Sequence, residues 1–155
     1  MEIGILAIDP GTNYTGWAYY ECGVPTEWGL IKADKNLKAD GRSIYITDQI
    51  QDVMERLLPD RVVCEMPLKA GPGAKSMNIV VLFRMVGMIN YMCYCRETLF
   101  QFIEVGEWKG QIKKKLHHPI LIDQIKKAYD INISGEPEDT IDAIGLGHWF
   151  VSNLS

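Results

Sequence analysis

The sequence predicts an α/β domain that opens with an antiparallel meander of three strands and continues with two further strands alternating with helices. Two observations carry most of this. Ile3–Ile8 and Arg61–Glu65 are short runs, apolar on both alternating faces, as in central strands covered on both sides. Between them, Ile46, Ile50, Val53, Met54, Leu57 and Leu58 recur at helical spacing from about Arg42, and Pro59 stops the pattern.

Taken in order, the first strand ends on Asp9, followed by Pro10, Gly11 and Thr12. Pro10 biases Asp9 towards an extended backbone, and Gly11 is expected to supply the positive φ of a type II turn. An aromatic-rich strand over Thr15–Cys22, a turn at Gly23-Val24-Pro25 and a strand over Thr26–Lys32 complete the meander. Asp34–Gly41 reads as a polar loop. After the strand ending on Glu65, Leu68–Ser76 carries Gly71-Pro72-Gly73 and reads as a flexible loop. A long apolar, Met-rich helix is expected over Ala74–Glu97, then a fifth strand over Leu99–Val105. The basic stretch Trp108–Pro119 precedes a helix over Ile120–Tyr129, and a last helix opens at about Glu138.

At 155 residues and 47% hydrophobic, the chain has the size of one domain spanning residues 1–155 with a substantial core. No signal peptide or membrane span is expected, because the most apolar window, Ile79–Cys95, is short and carries Arg84 and Asn90. The four cysteines lack zinc-type pairing and read as small buried hydrophobes in a reducing cytoplasm. The net charge of −4 is unevenly spread: six lysines face one aspartate between Lys109 and Lys127. A basic segment beside an acidic body suits a phosphate-binding rim next to a metal site, and equally a solvated lysine face.

Three separated segments end or begin on acids: Asp9, Glu65, and the pair Asp139 and Asp142 one turn apart at the start of the last helix. Clustered carboxylates repel unless a cation lies between them. Hard oxygen donors suit Mg²⁺ or Mn²⁺, and two such ions can clamp an in-line displacement at phosphorus. Phosphodiester hydrolysis is the reaction class that follows.

Ile8-Asp9-Pro10-Gly11-Thr12 with Thr15-Gly16, Cys64-Glu65, and Asp139-x-x-Asp142-Ala143 together resemble the RuvC-type Holliday junction resolvases of the RNase H-like superfamily, over nearly the whole chain. The resemblance implies a five-stranded mixed sheet, the meander plus two parallel strands, flanked by helices. It implies Asp9, Glu65, Asp139 and Asp142 as catalytic, metal-holding acids, with Mg²⁺ as cofactor, Mn²⁺ able to substitute, and two ions per site. It implies a homodimer that nicks opposed strands of a four-way DNA junction, with the Met-rich helix as candidate interface. Lys109, Lys113, Lys114 and Lys115 are the expected phosphate contacts, giving salt-dependent binding, and Lys69 and Lys75 add to them from the loop after the second acid. Leu68 stands where the family often has an aromatic wedge. His117-His118-Pro119 occupies the region of a family lysine and reads as a surface pair.

Three rivals compete. Asp-x-Gly-Thr-x-x-x-Gly is also similar to the phosphate loop of actin-like ATPases and sugar kinases, which need a second lobe and leave Glu65 and the last pair unexplained. The same acids would serve a nuclease acting on flaps, forks or RNA-containing duplexes. A binding module without activity would have no reason to keep four costly like charges together.

Overall fold

The computed structural model describes residues 3–66 and 76–154. Its sheet is built from β1 (Gly4–Asp9), β2 (Tyr14–Glu21), β3 (Val24–Lys32), β4 (Arg61–Glu65) and β5 (Leu99–Ile103). These stand in the order β3-β2-β1-β4-β5. Strands β1, β2 and β3 are antiparallel neighbours, whereas β4 runs parallel to β1 and β5 parallel to β4. The sheet is thus the expected mixed one.

β1 is the centre, and all six of its residues are buried. Its side chains alternate between two cores, as a pleated strand requires. Leu6 and Ile8 face one layer with Ile46, Ile50 and Met54 of α1 (Ala39–Leu57) and Met85, Val86 and Ile89 of α2 (Ser76–Cys95). Ile5 and Ala7 face the other layer with Leu121 and Ile125 of α4 (Lys114–Tyr129) and Ile141, Ile144 and Phe150 of α5 (Glu138–Ser152). A short α3 (Val105–Lys109) joins β5 to this second layer.

Several local expectations give way to tertiary context. The β2–β3 turn is tighter than expected: Cys22 and Gly23 both take positive φ (53° and 80°), the pairing of a two-residue hairpin turn. Pro25 therefore lies within β3, which tolerates it as an edge strand. The fifth strand stops at Ile103, and Val105 begins a helix whose start bears the Glu104/Glu107 capping pair, with Glu104 N–H donating to Glu107 Oε1 at 3.0 Å. α4 starts at Lys114, six residues before the expected Ile120, with Pro119 inside it. Pro119 forfeits one hydrogen bond in the second turn without ending the helix. Cys64 and Cys93 are buried as expected, but Cys22 and Cys95 are exposed.

Candidate active site

The register of the sheet brings the first two acids together. Ile8 lies opposite Cys64 in the parallel β1–β4 pair, so the next residue of each strand, Asp9 and Glu65, lie side by side. The alternation that sends Ile5, Ala7 and Val63 into the α4/α5 layer sends Asp9 and Glu65 to the same face. Asp9 is only 8% exposed despite standing at the strand end.

The turn after Asp9 differs from the expected one. Gly11 does not take a positive φ. Its lack of a side chain is used for close approach, since a Cβ there would fall 2.1 Å from the Tyr14 carbonyl oxygen. The fully buried Thr15 closes the turn: its hydroxyl donates to the Gly11 carbonyl at 3.0 Å and accepts from the Gly11 N–H at 3.2 Å. Asp9 is thereby held at the rim, paired across β2 with Gly16.

Gly16 is also where α5 lands. A Cβ on Gly16 would sit 1.9 Å from the Asp139 carbonyl oxygen and 2.8 Å from the Thr140 nitrogen, so only glycine lets the first turn of α5 rest on β2. The buried Thr140 hydroxyl donates to the Gly29 carbonyl at 3.2 Å, and Tyr20 Oη donates to the Ile144 carbonyl at 2.6 Å, fixing the helix along its length. The i, i+3 spacing then turns Asp139 and Asp142 towards the cavity.

Asp9, Glu65, Asp139 and Asp142 line one cavity of about 470 Å³ together with Lys109, His117 and His118. Short α3 delivers one wall, with Lys109, and backs Glu65 with Trp108. Trp108 Nε1 donates to Glu65 Oε2 at 2.8 Å, and Lys109 Nζ lies 3.3 Å from Glu65 Oε2 and 3.1 Å from Asp142 Oδ2. α4 delivers the other: His118 Nε2 lies 3.1 Å from Asp142 Oδ1, and His117 packs edge-on against Trp108 with ring centroids 5.2 Å apart. The histidines are therefore part of the site and not a surface pair. His117 is 7% exposed, and its Nε2 lies 3.2 Å from Asp142 Oδ1 without forming a hydrogen bond.

Charge is crowded here. Burial, then the charges of Glu65 and Asp142, push the Asp9 carboxyl well above the ordinary aspartate value. Burial also raises Glu65, against the pull of Lys109 and of the Trp108 hydrogen bond, and burial with the Asp142 charge raises Asp139. Burial alone would lower Lys109, but the carboxylates of Glu65, Asp142 and Asp9 outweigh it and hold the ammonium above the ordinary lysine value. Four acids facing one lysine leave an excess of negative charge with hard oxygen donors, which fits a divalent cation such as Mg²⁺ or Mn²⁺. The Lys109 ammonium marks the place: it is a cation held between Glu65 and Asp142. Among the described residues no three acid, histidine or cysteine side chains converge to enclose an ion, so holding one between these two acids requires Nζ to withdraw.

The structure thus brings together all four acids and Lys109. Lys113 and Lys115 are exposed at the start of α4, and the side chain of Lys114 lies outside the described residues, as do Leu68, Lys69 and Lys75. In sequence, Thr15 and Gly16 stand out only as parts of a motif and Trp108 as the start of a basic stretch; their parts in building the site come from the contacts above. The capping pair Glu104/Glu107 was a signal for α3, and with it for the inward turn of Trp108 and Lys109.

No family model matches the chain. It is 27% identical over 158 residues, 91% of this chain and 86% of the other, to the crossover junction endodeoxyribonuclease RuvC of Synechocystis sp.. Its fold superposes on T. thermophilus RuvC in complex with a Holliday junction substrate with a TM-score of 0.76, at 12% identity over 95% of this chain and 91% of that one. The yeast mitochondrial Holliday junction resolvase matches with a TM-score of 0.62, at 12% identity over 95% and 78% of the two chains. By its sheet order and these matches, the chain has an RNase H-like fold and is similar, in sequence and in structure, to the RuvC-type Holliday junction resolvases.

Proposed function

We propose that this chain is a single-domain, divalent-metal-dependent endonuclease that resolves four-way DNA junctions by paired nicks. The observation that carries the reading is that Asp9, Glu65, Asp139 and Asp142, from two strands and a helix, line one cavity. Two Mg²⁺ ions held by these carboxylates would supply an activated water and a stabilised leaving oxygen. The protein's own part is to fix the acids and to govern charge. Asp9, central and buried, would supply a carboxylate to the ions. Trp108 orients Glu65 through its indole N–H. Lys109 balances Glu65 and Asp142, and offers its ammonium to a phosphate drawn into the cavity. Lys113 and Lys115, exposed at the start of α4, would extend that attraction along a DNA backbone.

A homodimer follows from the substrate, because a four-way junction is close to two-fold symmetric and two nicks need two equivalent sites. The outward face of α2 supports a self-interface there, with Phe83, Tyr91 and Tyr94 all exposed. Among the described residues no helix is long and apolar enough to cross a membrane. Incubation with Mg²⁺ or Mn²⁺ and a set of a four-way junction, linear duplex, flap and RNA–DNA hybrid tests the reading. Symmetric nicks confined to the junction are expected; preferred cutting of the flap or hybrid would reassign the substrate.

A further inference from the structure

Among the described residues, Asp142 is the one acid of the four whose two oxygens are both engaged by side chains from other elements. Lys109 of α3 takes Oδ2 at 3.1 Å, on the Glu65 side, and His118 of α4 meets Oδ1 at 3.1 Å. An ionised carboxylate only accepts, so the contact is a hydrogen bond in the tautomer that carries the proton on His118 Nε2. His117 differs although it is adjacent. Its Nε2, 3.2 Å from the same oxygen, finds no hydrogen-bond partner among the described residues, and its ring packs edge-on against Trp108. The two histidines thus divide the work: one packs the wall of the cavity and the other holds an acid.

From this geometry we infer that His118 is a positioning residue, which locks Asp142 so that Oδ2 faces Glu65 and Asp9 when a divalent cation is bound. The inference rests on the reading of the four acids as cation ligands. Its physical basis is general: a carboxylate that is to ligate a cation gains when its second oxygen is already hydrogen-bonded, because rotation about χ2 is frozen beforehand. Loss of such a partner commonly weakens metal affinity by about 10–100-fold. The helical position explains how a histidine can do this, for α4 is packed on α5 through Leu121 and Ile125, which places the ring at a fixed distance from Asp142.

The test is Mn²⁺ binding without DNA, by titration calorimetry and by loss of the free-ion electron paramagnetic resonance signal. Four proteins are compared: wild type, His118→Ala, His118→Leu and His118→Gln. The glutamine amide can restore an N–H near the Nε2 position, whereas leucine keeps bulk without a donor; thermal melts establish that each variant is folded. About tenfold or greater weakening is expected in the alanine and leucine variants. Recovery to within about threefold of wild type is expected in the glutamine variant. Wild-type affinity in folded His118→Leu would overturn the role. Failure of His118→Gln to recover would overturn it too, since the imidazole itself would then be the needed group. Absence of Mn²⁺ binding by wild type would instead sink the metal reading, and this role with it.

Discussion

Gly16→Ala tests the joint on which the site depends. The added methyl carbon would lie 1.9 Å from the Asp139 carbonyl oxygen and 2.3 Å from its carbon, both backbone atoms in the first turn of α5. Ordinary contact begins at 3.4 Å, so helix and strand must part by at least about 1.5 Å. No flexible side chain can absorb this, and Thr140 on the same turn is tied to Gly29 of β3. Overpacking of this kind costs about 1–3 kcal/mol, and rigid backbone on both sides puts this case near the upper end. For a chain of this length each kcal/mol shifts Tm by about 2–4 °C, so a drop of about 6–12 °C is expected. The functional loss should be larger than the stability loss. Asp139 and Asp142 would move relative to Asp9 and Glu65, and a misplacement of about 1 Å can cost about a hundredfold in rate. Circular dichroism melts and junction-cleavage rates on the same preparations measure both. A variant that melts within about 1 °C of wild type and cleaves at the wild-type rate would refute the claim that Gly16 seats the helix.

Two further outcomes follow from the charges. Asp9→Asn removes a buried carboxylate that burial and its neighbours already penalise, so the variant should melt higher than wild type in EDTA, by about 2–4 °C for each kcal/mol relieved, while losing cleavage. A lower melting point in EDTA would show that the Asp9 charge is stabilising in the absence of metal. His148, paired through Nδ1 with the Tyr129 hydroxyl at 2.9 Å, is held below the ordinary histidine value of 6.5 by burial. The unfolded chain then takes up a proton that the folded one refuses. Its contribution is full above 6.5, falls as pH drops through the window between the two values, and levels off below the folded one. Urea unfolding at about pH 7.5 and about pH 5 should show a smaller loss for His148→Gln than for wild type, and equal losses would remove His148 from the account.

The parts of the site that lie on the sheet were legible because their signals are local. An apolar run that ends on an acid is conspicuous, and it occurs at both Asp9 and Glu65. The pairing of Asp139 with Asp142 needs only the helical period. What was not legible depends on contacts between elements. The role of Gly11 was misassigned because glycine serves both positive φ and close approach, and only the Tyr14 carbonyl beside it distinguishes the two. His117 and His118 read as a surface pair in the basic stretch before a helix expected from Ile120; with α4 starting at Lys114 they lie within it and face the acids. Lys109 read as one member of a basic patch, yet its contacts are with acids 33 and 44 positions away in sequence. Composition could not separate it from Lys113 and Lys115, which do face solvent.

The most direct measurement of the central claim is cleavage of a supercoiled plasmid that extrudes a cruciform, with Mg²⁺, by wild type and by Glu65→Gln. Two nicks made within the lifetime of one complex convert the circle to a linear product, whereas a single nick relaxes it and removes the junction. Linear product that requires Mg²⁺ and disappears with Glu65→Gln is predicted. Failure of wild type to cut the cruciform with either Mg²⁺ or Mn²⁺, or cutting by Glu65→Gln at the wild-type rate, would contradict the assignment of these four acids to junction resolution.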